Sequence, residues 1–444
     1  MPILSIGSNK FGQRGIQISL DGGQEEGALT HPQQHEASQF GTDETQASII
    51  DFDCGGSFSV ALCNDGSCYM TGSLSGDIRY LLEPVLIQYQ LKPIQIACGN
   101  KHVLFLMEGG YVLSCGTGYF GQLGHGCDSN LHSPQLIEYL QPKRIGAPVV
   151  HIAAGGSHSA CITASSTVYL WGANGSGQCG TDPERETIML PKELDYQHLN
   201  RTSPARDGPD ARVHIADVQC GRNFTTMLSQ TGRVFTFGST SRGKLGVNKR
   251  YPKWQPYPVE VEFFRIKSMP IAKIVIGASH TLALAKETGE VYSWGQGSDG
   301  QLGHSTFMHF CTPKRITFFD NLETGPIVNI SASQFYSCAV DSHGNVFGWG
   351  NGDCGVLGIP KVEYENVNIV DSQGHERAEW RNPLPYFDSD KAAETLIIDD
   401  HEIVHDFLTD INAIVPQRIT QFDLLKVDKI RCGNGHMLAL GDLR

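Results

Sequence analysis

Residues 150–159 read VHIAAGGSHS and residues 168–172 read VYLWG, and both stretches return as IVIGASHT at 274–281 and VYSWG at 291–295. A glycine is followed three residues later by His or Phe, between two strand-like runs. The glycine position is held by Gly55, Gly99, Gly155, Gly221, Gly277 and Gly433, with Ala332 in its place once. The aligned aromatic position is held by Phe58, His102, His158, Phe224, His280, Phe335 and His436. The chain therefore contains seven copies of one repeat.

A second glycine pattern begins at the glycine that closes the strand-like run of the VYLWG type, with spacings of five and then three residues. It occurs at Gly7/Gly12/Gly15, Gly116/Gly121/Gly124, Gly172/Gly177/Gly180, Gly238/Gly243/Gly246, Gly295/Gly300/Gly303 and Gly350/Gly355/Gly358. The copy that starts at Gly72 departs from it, with Asp77 and Tyr80 where glycines belong. Glycine at fixed offsets between short apolar runs indicates tight turns between β-strands.

Each copy predicts four short strands, and one such sheet cannot bury both of its faces, so the copies must stack around a ring. The chain opens in mid-copy at Ile3-Leu4-Ser5-Ile6-Gly7 and ends in mid-copy at residues 427–440. The predicted fold class is all-β: a seven-bladed β-propeller of four-stranded blades, closed by pairing of the N- and C-terminal strands. We predict one domain over 1–444, with insertions at 16–49 and 195–211 and an acidic insertion at 361–415.

This double glycine pattern resembles the regulator-of-chromosome-condensation repeat over nearly the whole chain. The resemblance implies a propeller disc that binds proteins. Members of the family that this chain resembles include the exchange factor for the small GTPase Ran, a plant UV-B photoreceptor, and many adaptors and scaffolds. The photoreceptor interpretation requires tryptophans clustered beside arginines, whereas Trp171, Trp294 and Trp349 lie at the repeat's own strand position.

The net charge of −13 disfavours nucleic acid as a direct partner, because phosphate binding rests on Lys and Arg. Residues 361–415 hold 13 acidic and 4 basic residues and favour a basic partner. Thirteen cysteines contain no C-x-x-C pair, and Cys54, Cys98, Cys220 and Cys432 precede the repeat glycine, so we interpret them as buried filler. Without an apolar membrane span or a signal peptide, the chain is expected to be a monomer in the cytoplasm or nucleus.

The turns of one type must share one face of the disc, because strand direction alternates. The Gly-x-x-His turns and the 361–415 insertion then share a face, and the 195–211 insertion leaves on the opposite one. Long loops and turn tips on a rigid scaffold commonly carry function. The predicted partner-binding residues on the Gly-x-x-His face are Asn100, Lys101, Ser157, Arg222, Asn223, Ser279, Gln334 and Asn434.

The first functional hypothesis is a non-enzymatic protein-interaction scaffold that needs no cofactor. The alternative is a guanine nucleotide exchange factor for a small GTPase, with Ser75, Asp77 and Arg79 in a wedge loop. In the Ran exchange factor the resemblance implies acidic residues in some Gly-x-x-His turns, and the turn tips here contain none.

A third hypothesis rests on His401, Glu402 and His405, which form the His-Glu-x-x-His pattern of zinc hydrolases. No third ligand of the characteristic kind follows, and an amphipathic helix is the competing interpretation. The strings beginning at Gly116, Gly295 and Gly350 match G-x-G-x-x-G but lie inside the repeat turn, where no helix follows to hold a pyrophosphate. We therefore predict that the chain has no catalytic residues and binds no nucleotide at these glycines.

Overall fold

The structure is a computed structural model, which describes residues 3–7, 29–35, 48–74, 79–84, 90–195, 213–248, 253–320, 324–357, 367–370, 376–379, 412–423 and 425–444. Its first fourteen strands are β1 (Ile3–Gly7), β2 (Leu29–His35), β3 (Ile49–Cys54), β4 (Phe58–Cys63), β5 (Cys68–Gly72), β6 (Arg79–Pro84), β7 (Pro93–Cys98), β8 (His102–Met107), β9 (Val112–Gly116), β10 (Leu131–Leu136), β11 (Val149–Ala154), β12 (His158–Thr163), β13 (Val168–Ala173) and β14 (Thr187–Glu193).

The later strands are β15 (Ile215–Cys220), β16 (Phe224–Ser229), β17 (Val234–Ser239), β18 (Trp254–Glu260), β19 (Ile271–Ile276), β20 (His280–Ala285), β21 (Val291–Gly295), β22 (Phe310–Arg315), β23 (Ile327–Ala332), β24 (Tyr336–Asp341), β25 (Val346–Asn351), β26 (Val367–Val370), β27 (Glu376–Glu379), β28 (Asn412–Arg418), β29 (Leu425–Cys432) and β30 (His436–Leu443). The α-helices are α1 (Pro142–Ile145) and α2 (Glu262–Ile266). Single 3-10 turns occupy Glu108–Gly110, Glu138–Leu140, Ser241–Gly243, Thr317–Asp320, Asp353–Gly355 and Thr420–Phe422.

The described strands pair into four-stranded antiparallel sheets, most of them from strands that follow one another in the chain. These orders are β3-β4-β5-β6, β10-β9-β8-β7, β11-β12-β13-β14, β15-β16-β17-β18, β19-β20-β21-β22 and β23-β24-β25-β28. One more four-stranded sheet, β2-β1-β30-β29, combines the two ends of the chain, with Ile3 opposite Leu440 and Gly7 opposite His436. The all-β propeller is confirmed.

The predicted fold class is nevertheless wrong, because it contained four-stranded sheets alone and the structure also has a two-stranded sheet. Strands β26 and β27 form a separate two-stranded sheet, with Val367 opposite Glu379 and Val370 opposite Glu376. This hairpin lies in the segment 361–415, which the sequence analysis treated as an acidic insertion with a helix at most. Charge dominated that interpretation, whereas the β-branched residues of Val367–Val370 favour a strand.

The first strands of the four-stranded sheets stand around a common cavity of about 650 Å³. Strands β3, β7, β11, β15, β19, β23 and β29 all contribute residues to its lining. The second strands are buried along their length, for example Phe58–Cys63 and His280–Ala285, and β30 is buried from His436 to Gly441. The apolar core therefore lies between neighbouring sheets, and the axis of the ring is a polar channel.

Neighbouring sheets are joined by a repeated hydrogen-bond relay. The His158 Nε2 atom lies 2.9 Å from Thr225 Oγ1 of the next sheet, and that hydroxyl donates to the Gln178 carbonyl at 2.7 Å. Because the hydroxyl proton is committed to the carbonyl, we assign Nε2 as the histidine donor. The same relay runs from His102 through Ser159 to the Gln122 carbonyl, and from His280 through Ser337 to the Gln301 carbonyl. The repeated histidines thus connect blades.

The tryptophans of the third strands complete this junction. Trp171 is fully buried, and its indole Nε1 donates to the Gln122 carbonyl of the preceding sheet at 2.8 Å. Gly172 follows it with φ near +106°, and a Cβ there would lie 2.6 Å from the Ser157 carbonyl oxygen. Only glycine fits both the backbone conformation and the close approach. This explains why the same third-strand position is a glycine with positive φ at Gly72, Gly116, Gly172, Gly238, Gly295 and Gly350.

One copy of the repeat is aligned one residue later than the sequence analysis placed it. Ser333 N donates to the Tyr336 carbonyl at 2.9 Å, as Gly277 N does to the His280 carbonyl at 2.9 Å. Ser333 and Tyr336, rather than Ala332 and Phe335, therefore hold the two repeat positions in this sheet. The Tyr336 hydroxyl replaces the histidine ring by donating across the blade junction to the Gly433 carbonyl at 3.0 Å.

Candidate protein-binding face

The Gly-x-x-His turns form a connected rim around one mouth of the channel. Backbone hydrogen bonds run from turn to turn: Gly56 N to Asn100 O at 3.2 Å, Asn100 N to Gly155 O at 3.0 Å, and Gly156 N to Gly221 O at 2.9 Å. Arg222 N continues the series to Ala278 O at 3.3 Å. We call this side of the disc the rim face. Its turns are held by main-chain bonds, so side chains at their tips sit on a rigid support.

The structure brings the predicted partner-binding residues together on the rim face. Six of them line the mouth of the channel, namely Asn100, Ser157, Arg222, Asn223, Gln334 and Asn434. Lys101 and Ser279 lie beside them in the same turns. Among the predicted set Asn100, Lys101, Arg222, Asn223 and Asn434 are exposed, and the other three are partly exposed. Whether a partner binds there stays a prediction.

Exposed apolar side chains on the same face were missed by sequence reasoning. Tyr119 and Phe120 lie between the second-pattern glycines of their turn and are 66% and 47% exposed. Phe307 and Met308 occupy a later connection of the same type and are 41% and 65% exposed. The connection between third and fourth strands leaves from the same end as the Gly-x-x-His turn, because the strands are antiparallel. The sequence signal was two large apolar residues inside a polar glycine turn, a composition enriched at protein interfaces.

A belt of polar side chains surrounds the channel at the third residue of six first strands and at Lys429 of β29. His151 Nδ1 lies 3.2 Å from Gln95 Nε2, and His151 Nε2 lies 2.9 Å from Asp217 Oδ1, so three blades are joined. Lys273 Nζ donates to Asn329 Oδ1 at 2.5 Å, and Lys429 pairs with Asp51 across the junction between the closing sheet and the sheet that begins with β3. These groups satisfy one another, which makes the belt a tie between blades.

The electrostatics of the channel follow from burial. Burial, reinforced by the positive charge of Arg431, lowers the pKa of Lys273 to about 8. Burial also raises the pKa of Asp53, and the opposing Arg431 charge limits that rise. The Cys98 amide donates to Asp53 Oδ2 at 2.7 Å. The sequence analysis did not predict these residues, although each is a charged residue inside a largely apolar strand.

Several predicted sites fall beyond what the structure describes. Ser75 and Asp77 of the wedge loop lie outside the described residues, and Arg79 is placed only as the first residue of β6. The His401, Glu402 and His405 pattern and the insertion 195–211, apart from Asp195, also lie outside them. Within the described ranges no three His, Cys, Asp or Glu side chains are grouped so as to hold a metal ion. No described helix has the length and apolar character needed to cross a membrane.

Comparison with known families gives four matches to the regulator of chromosome condensation (RCC1) repeat, at residues 109–162, 165–228, 231–284 and 288–340. These segments cover more than half of the chain. The chain belongs to the RCC1 repeat family. A second form of the RCC1 repeat matches residues 94–122, 149–178, 271–301 and 327–356, each of which contains one Gly-x-x-His turn or its equivalent.

RCC1-repeat relatives are similar over about two thirds of this chain. The mitochondrial RCC1 domain-containing protein RUG3 of Arabidopsis thaliana is 31% identical over 292 residues, covering 65% of this chain and 60% of RUG3. The probable E3 ubiquitin-protein ligase HERC6 of Homo sapiens is 30% identical over 306 residues, covering 66% of this chain and 27% of HERC6. The chain therefore spans less than two thirds of the length of either relative.

Two solved propellers share the fold over the whole chain. Human WBSCR16 superposes with a TM-score of 0.73 at 18% identity, covering 100% of both chains. Prp20p of Saccharomyces cerevisiae, described with its binding to Gsp1p and histones, superposes with a TM-score of 0.70 at 16% identity, covering 100% of this chain and 91% of Prp20p. At these identities the likeness establishes the RCC1-type propeller fold.

Proposed function

We propose that this RCC1-repeat chain is a protein-binding scaffold or adaptor that holds a protein partner on the rim face. The observation that carries this proposal is the joint exposure of polar and apolar side chains on one rigid surface. Arg222 and Asn223 project from the rim, while Phe120 lines the channel mouth and is 47% exposed. Arginine and aromatic residues that surround a shallow depression are the usual anchors of protein interfaces.

The scaffold proposal is tested by capturing partners with a rim-face variant and an opposite-face variant. Phe120→Ala combined with Arg222→Ala removes two exposed anchors and leaves the buried relay intact. We expect about a tenfold or greater loss of the proteins that co-purify with the natural chain, since 1.4 kcal/mol corresponds to a factor of ten. Quantitative mass spectrometry of affinity-purified complexes measures the recovery.

The matched control is Ile94→Ala combined with Arg144→Ala. Ile94 is the second residue of β7 and is 53% exposed. Arg144 lies in α1, which connects β10, a fourth strand, to β11, the first strand of the next sheet. Both therefore lie at the opposite face of the disc. Loss of the same proteins from the control, or their full retention by the rim-face variant, contradicts the proposal.

Nucleotide exchange on a small GTPase is the alternative within the same family. The turn tips of the rim carry Lys101 and Arg222 and no acidic residue. An acidic counterpart of the kind implied for the Ran exchange factor is therefore missing from these tips, which favours the scaffold over exchange. A nucleotide-release assay with purified chain and a panel of small GTPases separates the two functions, because accelerated release would replace the scaffold proposal.

A further inference from the structure

Three cationic side chains meet on the rim face at the junction of two neighbouring sheets. Arg222 lies in the Gly-x-x-His turn between β15 and β16, and Arg242 and Lys244 lie in the connection between β17 and β18. Lys244 Nζ is 3.4 Å from Ser279 Oγ, which belongs to the corresponding turn of the next sheet. Lys244 Nζ also lies 5.7 Å from the centre of the Phe224 ring. We call Arg222, Arg242 and Lys244 the cation cluster.

The lysine is an exception to the repeat. The equivalent turn position in three other sheets is Gln122, Gln178 and Gln301. Each of these glutamines accepts a hydrogen bond from the backbone N–H two residues earlier, at 2.8, 2.9 and 2.8 Å. A lysine has no acceptor, so it cannot make that bond. The residue two positions before Lys244 is Arg242, which takes a left-handed φ of +58°.

No ion pair among the described residues includes a member of the cation cluster. Lys244 is only 4% exposed, and no described carboxylate lies within 4.0 Å of the charged nitrogens of Arg222, Arg242 or Lys244. Arg242 contacts the Gln296 amide oxygen, and the Gln296 amide nitrogen donates to Asp299 Oδ2 at 3.2 Å, so one neutral amide separates Arg242 from that carboxylate. By contrast, Lys429 pairs with Asp51, and Arg233 pairs with Glu260 at 2.9 Å.

Burial and the neighbouring positive charges shift the pKa of Lys244 in the same direction. Burial, followed by the charges of Arg242 and Arg222, lowers the pKa of Lys244 to about 8. A buried cation without an anionic partner is costly to hold. An anion that bound in the cluster would reduce that cost. The reduction would add to the binding free energy that the anion gains from its direct contacts.

We propose that the cation cluster binds the carboxylate of an acidic segment of the protein partner. This inference rests on the scaffold function proposed above and adds the chemistry of the bound segment. Two guanidinium groups offer paired donors that match a carboxylate, and the neighbouring Asn223 side chain is exposed and can bond to peptide groups. An Asp or Glu side chain fits because the charges of cluster and segment are complementary.

The test uses a fluorescein-labelled twelve-residue peptide of alternating Glu and Gly, with a Gln-Gly peptide of equal length as its uncharged counterpart. Fluorescence anisotropy with the purified full chain measures both affinities. We expect the Glu peptide to bind about tenfold more tightly than the Gln peptide, and to weaken as salt is raised. Equal affinity for the two peptides overturns the proposal.

Lys244→Gln is the decisive variant because glutamine is the residue of the other turns, so the fold should be kept. Arg222→Gln is a second variant at an exposed position. We expect each to weaken binding of the Glu peptide about tenfold, whereas Arg144→Gln, which removes the same charge from the opposite face, changes it less than twofold. Unchanged binding by both cluster variants, with thermal unfolding showing a folded chain, places the peptide elsewhere and overturns the proposal.

Two further outcomes separate this inference from the function on which it rests. If Phe120→Ala with Arg222→Ala loses its protein partners but the Glu peptide never binds, the scaffold stands and the acidic occupant is wrong. If the Glu peptide binds through Lys244 but rim-face variants keep every partner, the site stands and the scaffold face is wrong. Inorganic phosphate that binds as tightly as the peptide would overturn the commitment to a protein carboxylate.

Discussion

Lowering the pH from 7 to 5 should destabilise this protein by about 6 kcal/mol through three buried histidines. Burial lowers the pKa of His102 to about 4, and of His158 and His280 to about 3. An exposed histidine in the unfolded chain has a pKa near 6.5. Between these values the unfolded chain takes up protons that the folded chain cannot, so stability falls as the pH falls from about 6.5.

The relay explains why these rings resist protonation. Each Nε2 already donates to a hydroxyl of the next sheet, and Nδ1 of each ring is buried without a hydrogen-bond partner in the described structure. A proton on Nδ1 would therefore place a charge where no acceptor exists. At pH 5 the protonation of each unfolded histidine is worth about 2 kcal/mol, which gives the total of about 6.

A triple variant isolates this effect from all other acidic and basic groups. His102→Phe, His158→Phe and His280→Phe introduce the residue that Phe58 and Phe224 already place at the same repeat position. Urea unfolding at pH 7 and pH 5 gives the loss of unfolding free energy for each chain. The variant should lose about 6 kcal/mol less than the natural chain over this interval. An equal loss in both chains would show that the histidines do not control acid unfolding.

Trp171→Ala should destabilise the protein by about 4 kcal/mol, the range found when a fully buried aromatic ring is truncated. The Trp171 ring is fully buried between two sheets, and its indole N–H bonds to the Gln122 carbonyl of the preceding sheet. The alanine leaves a cavity at a blade junction and removes that donor. Urea unfolding at pH 7 measures the change.

Trp171→Phe is the control for this cavity. Phe237 occupies the same position of the third strand in the next sheet, so a phenyl ring is compatible with the junction. The Gln122 carbonyl keeps the hydroxyl of Ser159 as a donor at 2.9 Å. We expect a loss of about 1 kcal/mol, and a loss as large as that of the alanine variant would mean that the indole hydrogen bond outweighs packing.

The spacing of the repeat predicted most of the turns and strands of the protein. The turn glycines and the apolar strands recur in the structure. Backbone sterics require the glycines, and burial of apolar side chains sets the strands, so both depend on a few neighbouring residues. Two local predictions were wrong. The acidic composition of 361–415 gave no indication of the hairpin formed by β26 and β27. Tyr336, and not the predicted Phe335, holds the aromatic position of its repeat.

The all-β class, the propeller and its closure by pairing of the chain ends could be predicted from the sequence, since these follow from periodicity and from the need to bury both faces of each sheet. Which side chains contact one another across blade junctions became known from the folded structure alone. Lys244 and Ser279, or His151 and Asp217, are far apart along the chain and come together because neighbouring sheets pack side by side. No local pattern encodes such contacts, because their energy arises only once the ring has formed.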